Sequence, residues 1–168
     1  MWKSVCAAAV LAASILTVVP LALGEAGDST RKLVAAEANS LVVRGRRLHC
    51  GGGTGKDVKD LPVMGVAIPS RKLFLINTRL MRKFPRSFSH FVFLHECAHM
   101  YITSESAADC WAVKRGLYRG IFNRRSVDTI CKALWNTPAG LYHNAGPGRC
   151  AQLKQCYAKA VADRKRRR

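Results

Sequence analysis

Hydrophobic and polar positions are arranged in several distinct ways along the 168 residues, and each arrangement predicts a different element. Residues 5–23 form an apolar run without a charge. Residues 25–47 interleave Leu33, Val34, Ala36, Leu41 and Val42 with charges, a spacing that reads as helix. The Gly-rich stretch 49–60 reads as a loop. Two short β-prone runs follow, 63–68 and 72–77, separated by Pro69, Ser70 and Arg71; they predict a strand pair with one strand at an edge. Pro85, Arg86 and Ser87 mark a helix start. Nothing breaks that helix from Phe88 to Tyr101, and Phe88, Phe91, Val92 and Leu94 supply its apolar face. Further helices are predicted over 105–118, 126–135 and 152–161, with a loop through Pro138, Gly140, Gly146, Pro147 and Gly148. Trp111, Tyr118 and Trp135 fall at helical positions and are expected in the core. The pattern as a whole predicts an α+β domain, mainly helical, with a small sheet next to the 88–101 helix.

The apolar start changes this picture, because it has the layout of a secretory signal peptide. Lys3 precedes the run, Pro20 interrupts it, and Ala22 and Gly24 are small residues suited to a cut. The predicted organisation is a signal peptide over 1–24, one folded domain over 25–163 and a basic tail over 164–168. The rival reading is an uncleaved anchor, since the run nearly reaches spanning length. Either way the remaining chain is exported, to the periplasm or beyond, and membrane attachment is expected only if the segment stays.

Lys and Arg number 28 against 10 Asp and Glu, a formal charge of +18. That balance predicts attraction to an anionic envelope surface and says nothing about a reaction. The cations are scattered as short groups (Arg44, Arg46 and Arg47; Arg71 and Lys72; Arg124 and Arg125) and accompany no nucleic-acid motif, so specific nucleic-acid binding is not expected. The Gly-rich loop fails as a phosphate loop, with Cys50 where glycine is needed and Asp57 where Ser or Thr is needed. Beyond residue 24 stand Cys50, Cys97, Cys110, Cys131, Cys150 and Cys156. An even set in an exported chain predicts disulfides, with the pairing open and a Cys97–Cys110 clip among the choices.

The chemistry is concentrated at His95-Glu96-Cys97-Ala98-His99. Two histidines four apart on a helix project from one face and can share a Zn²⁺ ion. Glu96, beside them, is placed to act as general base toward water polarised by that metal. Cys97 points to the opposite side and makes a poor ligand. A catalytic zinc needs a third protein ligand and an open fourth position. Glu105 on the next predicted helix can complete the set, and Asp109 one turn on can fix a ligand histidine through its far nitrogen. With only five residues between His99 and Glu105 the turn must be tight, and Asp109 replaces Glu105 as ligand if it cannot close. His143 and Arg149 could line the cleft and stabilise an oxyanion, or could belong to a surface loop fixed by Cys150. His90 is expected to serve packing.

The pair of motifs, HExxH followed by Glu105-Ser106-Ala107-Ala108-Asp109, resembles the gluzincin zinc metallopeptidases, in particular the HtpX-type arrangement with both motifs on adjoining helices. The resemblance covers about residues 63–116. It implies a zincin-like fold, His95, His99 and Glu105 as zinc ligands, Glu96 as base, Asp109 behind the ligands, and a peptide or protein substrate. The alternative from another class is a basic envelope-binding protein whose zinc is structural or vestigial.

Overall fold

The structure, a computed structural model, describes residues 39–138 and 145–167. The predicted signal peptide, His143 and most of the 25–47 segment lie outside the described residues.

The described part of that segment is a hairpin, which corrects the helical expectation. β1 (Ser40–Val43) and β2 (Arg46–His49) pair antiparallel, with Val43 opposite Arg46. Arg44 and Gly45 between them both take positive φ, 50° and 80°, as a two-residue hairpin turn requires. The predicted loop 49–60 also contains a strand, β3 (Thr54–Asp57). Gly55 permits it: a Cβ there would lie 2.6 Å from Cζ of Phe74, so the strand passes directly over that ring. β4 (Gly65–Ile68) and β5 (Leu73–Ile76) are the expected pair. The sheet order is β3-β5-β4, with β3 parallel and β4 antiparallel to the central β5. β4 therefore forms one edge.

The helices are α1 (Thr78–Met81), α2 (Arg86–Ala98), α3 (Glu105–Tyr118), α4 (Arg124–Leu134) and α5 (Gly146–Arg166). Asn77 caps α1 by accepting from the Leu80 amide, and Asn123 caps α4 reciprocally with Ser126. α5 starts earlier than expected, with Pro147 in its first turn, and continues through the predicted tail to Arg166. Gly146 starts it against the end of α4, where a Cβ would meet the Leu134 carbonyl oxygen at 2.2 Å.

α2 lies between the three-stranded sheet and the other helices. Phe93 meets Phe74 edge-on, with ring centroids 5.3 Å apart. Phe91 and Leu94 are buried with Ile76, Met81, Val113, Ile130 and Leu153. α3 turns Ala108, Ala112, Val113, Gly116 and Leu117 inward. Tyr118 falls on its opposite face and is exposed, which corrects the expectation that it is core, whereas Trp111 is half-buried and packs against the core from its margin. Trp135, just past the end of α4, is exposed as well.

Three disulfides link these elements: Cys50–Cys97, Cys110–Cys156 and Cys131–Cys150. The Cys97–Cys110 clip does not form. Cys97 sits on the back of α2 and meets Cys50 just after β2, whereas Cys110 meets α5. Among the described residues, no helix is long and apolar enough to cross a membrane.

Candidate metal centre

α2 ends at Ala98, and the next residues tighten into a turn. The amides of Tyr101 and Ile102 both donate to the Ala98 carbonyl, at 2.9 and 3.0 Å. Ser104 then caps α3 by accepting from the Ala107 amide. The five-residue connection therefore closes, and Glu105 enters α3 facing the histidines.

The three side chains converge. His95 Nε2 lies 3.0 Å from Glu105 Oε2, His99 Nε2 lies 3.3 Å from the same oxygen, and the two Nε2 atoms are 3.1 Å apart. A tetrahedral zinc with bonds of about 2.0–2.1 Å spaces its ligand atoms about 3.3 Å apart. The observed triangle has nearly that size. Among the described residues this group of His95, His99 and Glu105 satisfies the donor requirements of a metal ion.

The opposite nitrogens show why these Nε2 atoms suit a cation. His99 Nδ1 is 2.9 Å from the Ile102 carbonyl oxygen, which can only accept, so Nδ1 carries the proton and Nε2 presents a lone pair. His95 Nδ1 is 2.8 Å from Asp109 Oδ1, a carboxylate with the same effect. Two lone pairs and a carboxylate oxygen thus face one another, an arrangement favoured by a cation at their centre. A proton can partly fill that role. Burial alone would lower the His95 pKa, but Asp109 and Glu105 outweigh it and raise the value to about 9.

Asp109 is buried and also receives Arg149, whose Nε and Nη2 donate at 2.6 and 2.7 Å. Burial would raise its pKa, yet His95 and Arg149 together hold it below the usual carboxylate value. Asp109 therefore stands behind the His95 ring, and Glu105 is the acid that converges with the two Nε2 atoms. Arg149, which could line the cleft or belong to a surface loop, lies along a cavity beside Glu96 and commits two N–H groups to Asp109. His90 lies away from the site, its Nε2 3.0 Å from the Val43 carbonyl oxygen, in keeping with packing.

Glu96 is half-buried, and burial raises its pKa despite the nearby histidines. It packs against Gly65 on β4: a Cβ there would lie 2.7 Å from Glu96 Cγ. Gly65 was not singled out from the sequence, although a glycine inside a β-prone run signals close approach. An open cleft of about 440 Å³ runs along Gly65, Val66 and Ala67 past Glu96 and the three converging side chains. A second cavity of about 240 Å³ adjoins Glu96; Phe88, Phe91, Val92 and Leu134 line it together with Thr137 and Arg149.

No family model, curated protein or solved structure matches this chain.

Proposed function

We propose that the protein is an exported zinc-dependent hydrolase, most simply a metallopeptidase of zincin-like type. The observation that carries this reading is the convergence of His95 Nε2, His99 Nε2 and Glu105 Oε2 beside Glu96 in an open cleft. A structural zinc is ordinarily closed by four protein ligands, whereas three leave a position for substrate or water. Bound there, Zn²⁺ would supply Lewis acidity toward a carbonyl oxygen and toward water.

The chain's own groups do the rest. The Ile102 carbonyl and the Asp109–Arg149 pair hold the two histidines in their ligating tautomers. Glu96, its pKa raised above the usual carboxylate value by burial, accepts the proton of the attacking water and passes it to the departing amine. The outer edge of β4 bonds no other strand among those described, so its backbone is available to an extended peptide lying in the cleft. The apolar cavity next to Glu96 favours a substrate with a hydrophobic side chain beside the scissile bond.

The test is Glu96→Gln in zinc-loaded protein, assayed on a quenched-fluorescence peptide library. Zinc content should stay unchanged while hydrolysis falls by about 10²-fold or more. Undiminished cleavage by this variant would exclude Glu96 as the base.

A further inference from the structure

The outward face of α3 is built from one kind of chemistry. Trp111, Lys114, Arg115, Tyr118 and Arg119 lie within a stripe along the last two turns and its cap, and none of them is acidic. Lys114, Arg115 and Tyr118 are exposed. Tyr101, 61 % exposed, extends the stripe, its ring centroid 6.5 Å from that of Trp111. Arg46 extends it on the other side, with Nη2 3.4 Å from the Arg119 carbonyl oxygen.

Among the described residues these cations have no acidic partner. The described ion pairs involve Asp109, Glu105, Asp128 and Asp163, and none includes Arg46, Lys114, Arg115 or Arg119. Arg119 instead donates to the His49 carbonyl at 2.9 Å. Three guanidinium groups and an ammonium are thus gathered around one helix end without a counter-charge from the described residues.

We propose that this face of α3, together with Arg46 and Tyr101, is a docking surface for an anionic lipid bilayer. Amphipathic rings beside long cations are the side-chain mixture that settles at headgroup level, the cations meeting phosphates and the rings the acyl boundary. A single-stranded nucleic acid asks for something else: a groove to follow and ring faces free to stack on bases. This face is the convex side of a helix. Its ring faces are partly taken, with the Lys114 ammonium 5.8 Å over Tyr118 and the Arg115 guanidinium 5.8 Å over Trp111. Since α3 begins at Glu105, docking would also hold the candidate metal centre at a fixed position relative to the bilayer. The proposal does not depend on hydrolysis.

The experiment is sedimentation of the exported protein with vesicles of phosphatidylcholine, with and without phosphatidylglycerol. One variant pair removes Lys114 and Arg115 as K114Q/R115Q. A second removes two exposed cations elsewhere, K59Q/K159Q, at the same net charge. K114Q/R115Q should weaken partitioning onto phosphatidylglycerol vesicles about tenfold or more, while K59Q/K159Q stays near wild type. Tyr118→Ser, which retains every charge, should weaken it too. Equal losses in the two charge pairs would overturn the proposal, because total charge alone would then act. So would wild-type binding that ignores phosphatidylglycerol. Binding to an oligodeoxythymidylate that is lost in K114Q/R115Q, with vesicle binding intact, would replace the bilayer by a strand.

Discussion

Asp109 Oδ1 lies 2.8 Å from His95 Nδ1, and the other oxygen of the same carboxylate receives the Arg149 guanidinium at 2.6 Å. One buried acid thereby couples α2, α3 and α5, and it does so behind a candidate metal ligand. Its ionised form is secured from two sides, so Nδ1 of the imidazole it faces keeps its proton and Nε2 is the nitrogen left to a proton or a cation.

Removing this support should weaken the centre without abolishing it. Asp109→Ala is expected to lower zinc affinity about 10–100-fold, measured by competition with a chromophoric chelator. Arg149→Met should cost less, because Asp109 still faces His95. An Asp109→Ala protein with wild-type affinity would mean that the His95 tautomer needs no such partner.

Removing a ligand should act differently. Wild type is expected to carry about one zinc per chain, and Glu105→Ala should lose it on dialysis while Asp109→Ala retains a measurable fraction. Elemental analysis of the purified proteins reads this directly. Zinc retained by Glu105→Ala but lost by Asp109→Ala would exchange the roles of the two acids.

Gly65 offers a test that substitutes neither the converging side chains nor Glu96. A methyl group there would meet Glu96 Cγ at 2.7 Å and Ile76 Cδ1 at 3.1 Å, so Glu96 must shift. Gly65→Ala should reduce kcat by about tenfold or more, since small displacements of a catalytic group are costly, while zinc content holds. An unchanged kcat would show that Glu96 can move aside and still work.

The site was legible because its rules are local. A four-residue histidine spacing on an unbroken helix, followed by Glu105 on the next predicted helix, can be read without knowing the fold. What the sequence hid depends on partners distant in the chain. The hairpin is hidden because Leu41 and Val42 continue the helical spacing of Leu33, Val34 and Ala36 as well as they fit a strand; the turn at Arg44 and Gly45 decides between them. The β3 strand was missed because glycines predict a loop until Phe74 is seen beneath Gly55. Tyr118 reads as core because aromatic residues favour burial, but Ala108, Ala112 and Gly116 claim the inner face of α3 and leave it exposed. The role of Arg149 needed the position of α5, which no local pattern supplies.

The disulfides make a further prediction. Cys50–Cys97 closes a sequence separation of 47 residues, which corresponds to about 4 kcal/mol of denatured-state restriction. It also ties the back of the motif helix to the end of β2. Replacing both cysteines by alanine should lower the urea midpoint accordingly, with zinc affinity falling less than stability. A midpoint equal to wild type would mean that packing around Cys50 and Cys97 holds α2 unaided.

The last prediction concerns pH, and its sign follows from His95. In the metal-free protein its pKa rises from 6.5 to about 9, so the folded state binds the proton more tightly than the unfolded state does. The stabilisation is fully present below pH 6.5 and is lost as pH rises through about 9. Asp109 acts in the other sense, but its lowered pKa confines the loss to acid conditions. Zinc competes with the His95 proton, so apparent zinc affinity should increase with pH up to about 9. The decisive comparison is the urea midpoint of chelator-treated wild type and His95→Ala between about pH 6 and about pH 10. Wild type should lose more stability than the variant over that interval, and zinc should remove the difference in slope by supplying the positive charge itself. Parallel curves for the two metal-free proteins would show that His95 titrates alike in the folded and unfolded chains, and that the converging acceptors are not held against one another as the geometry requires.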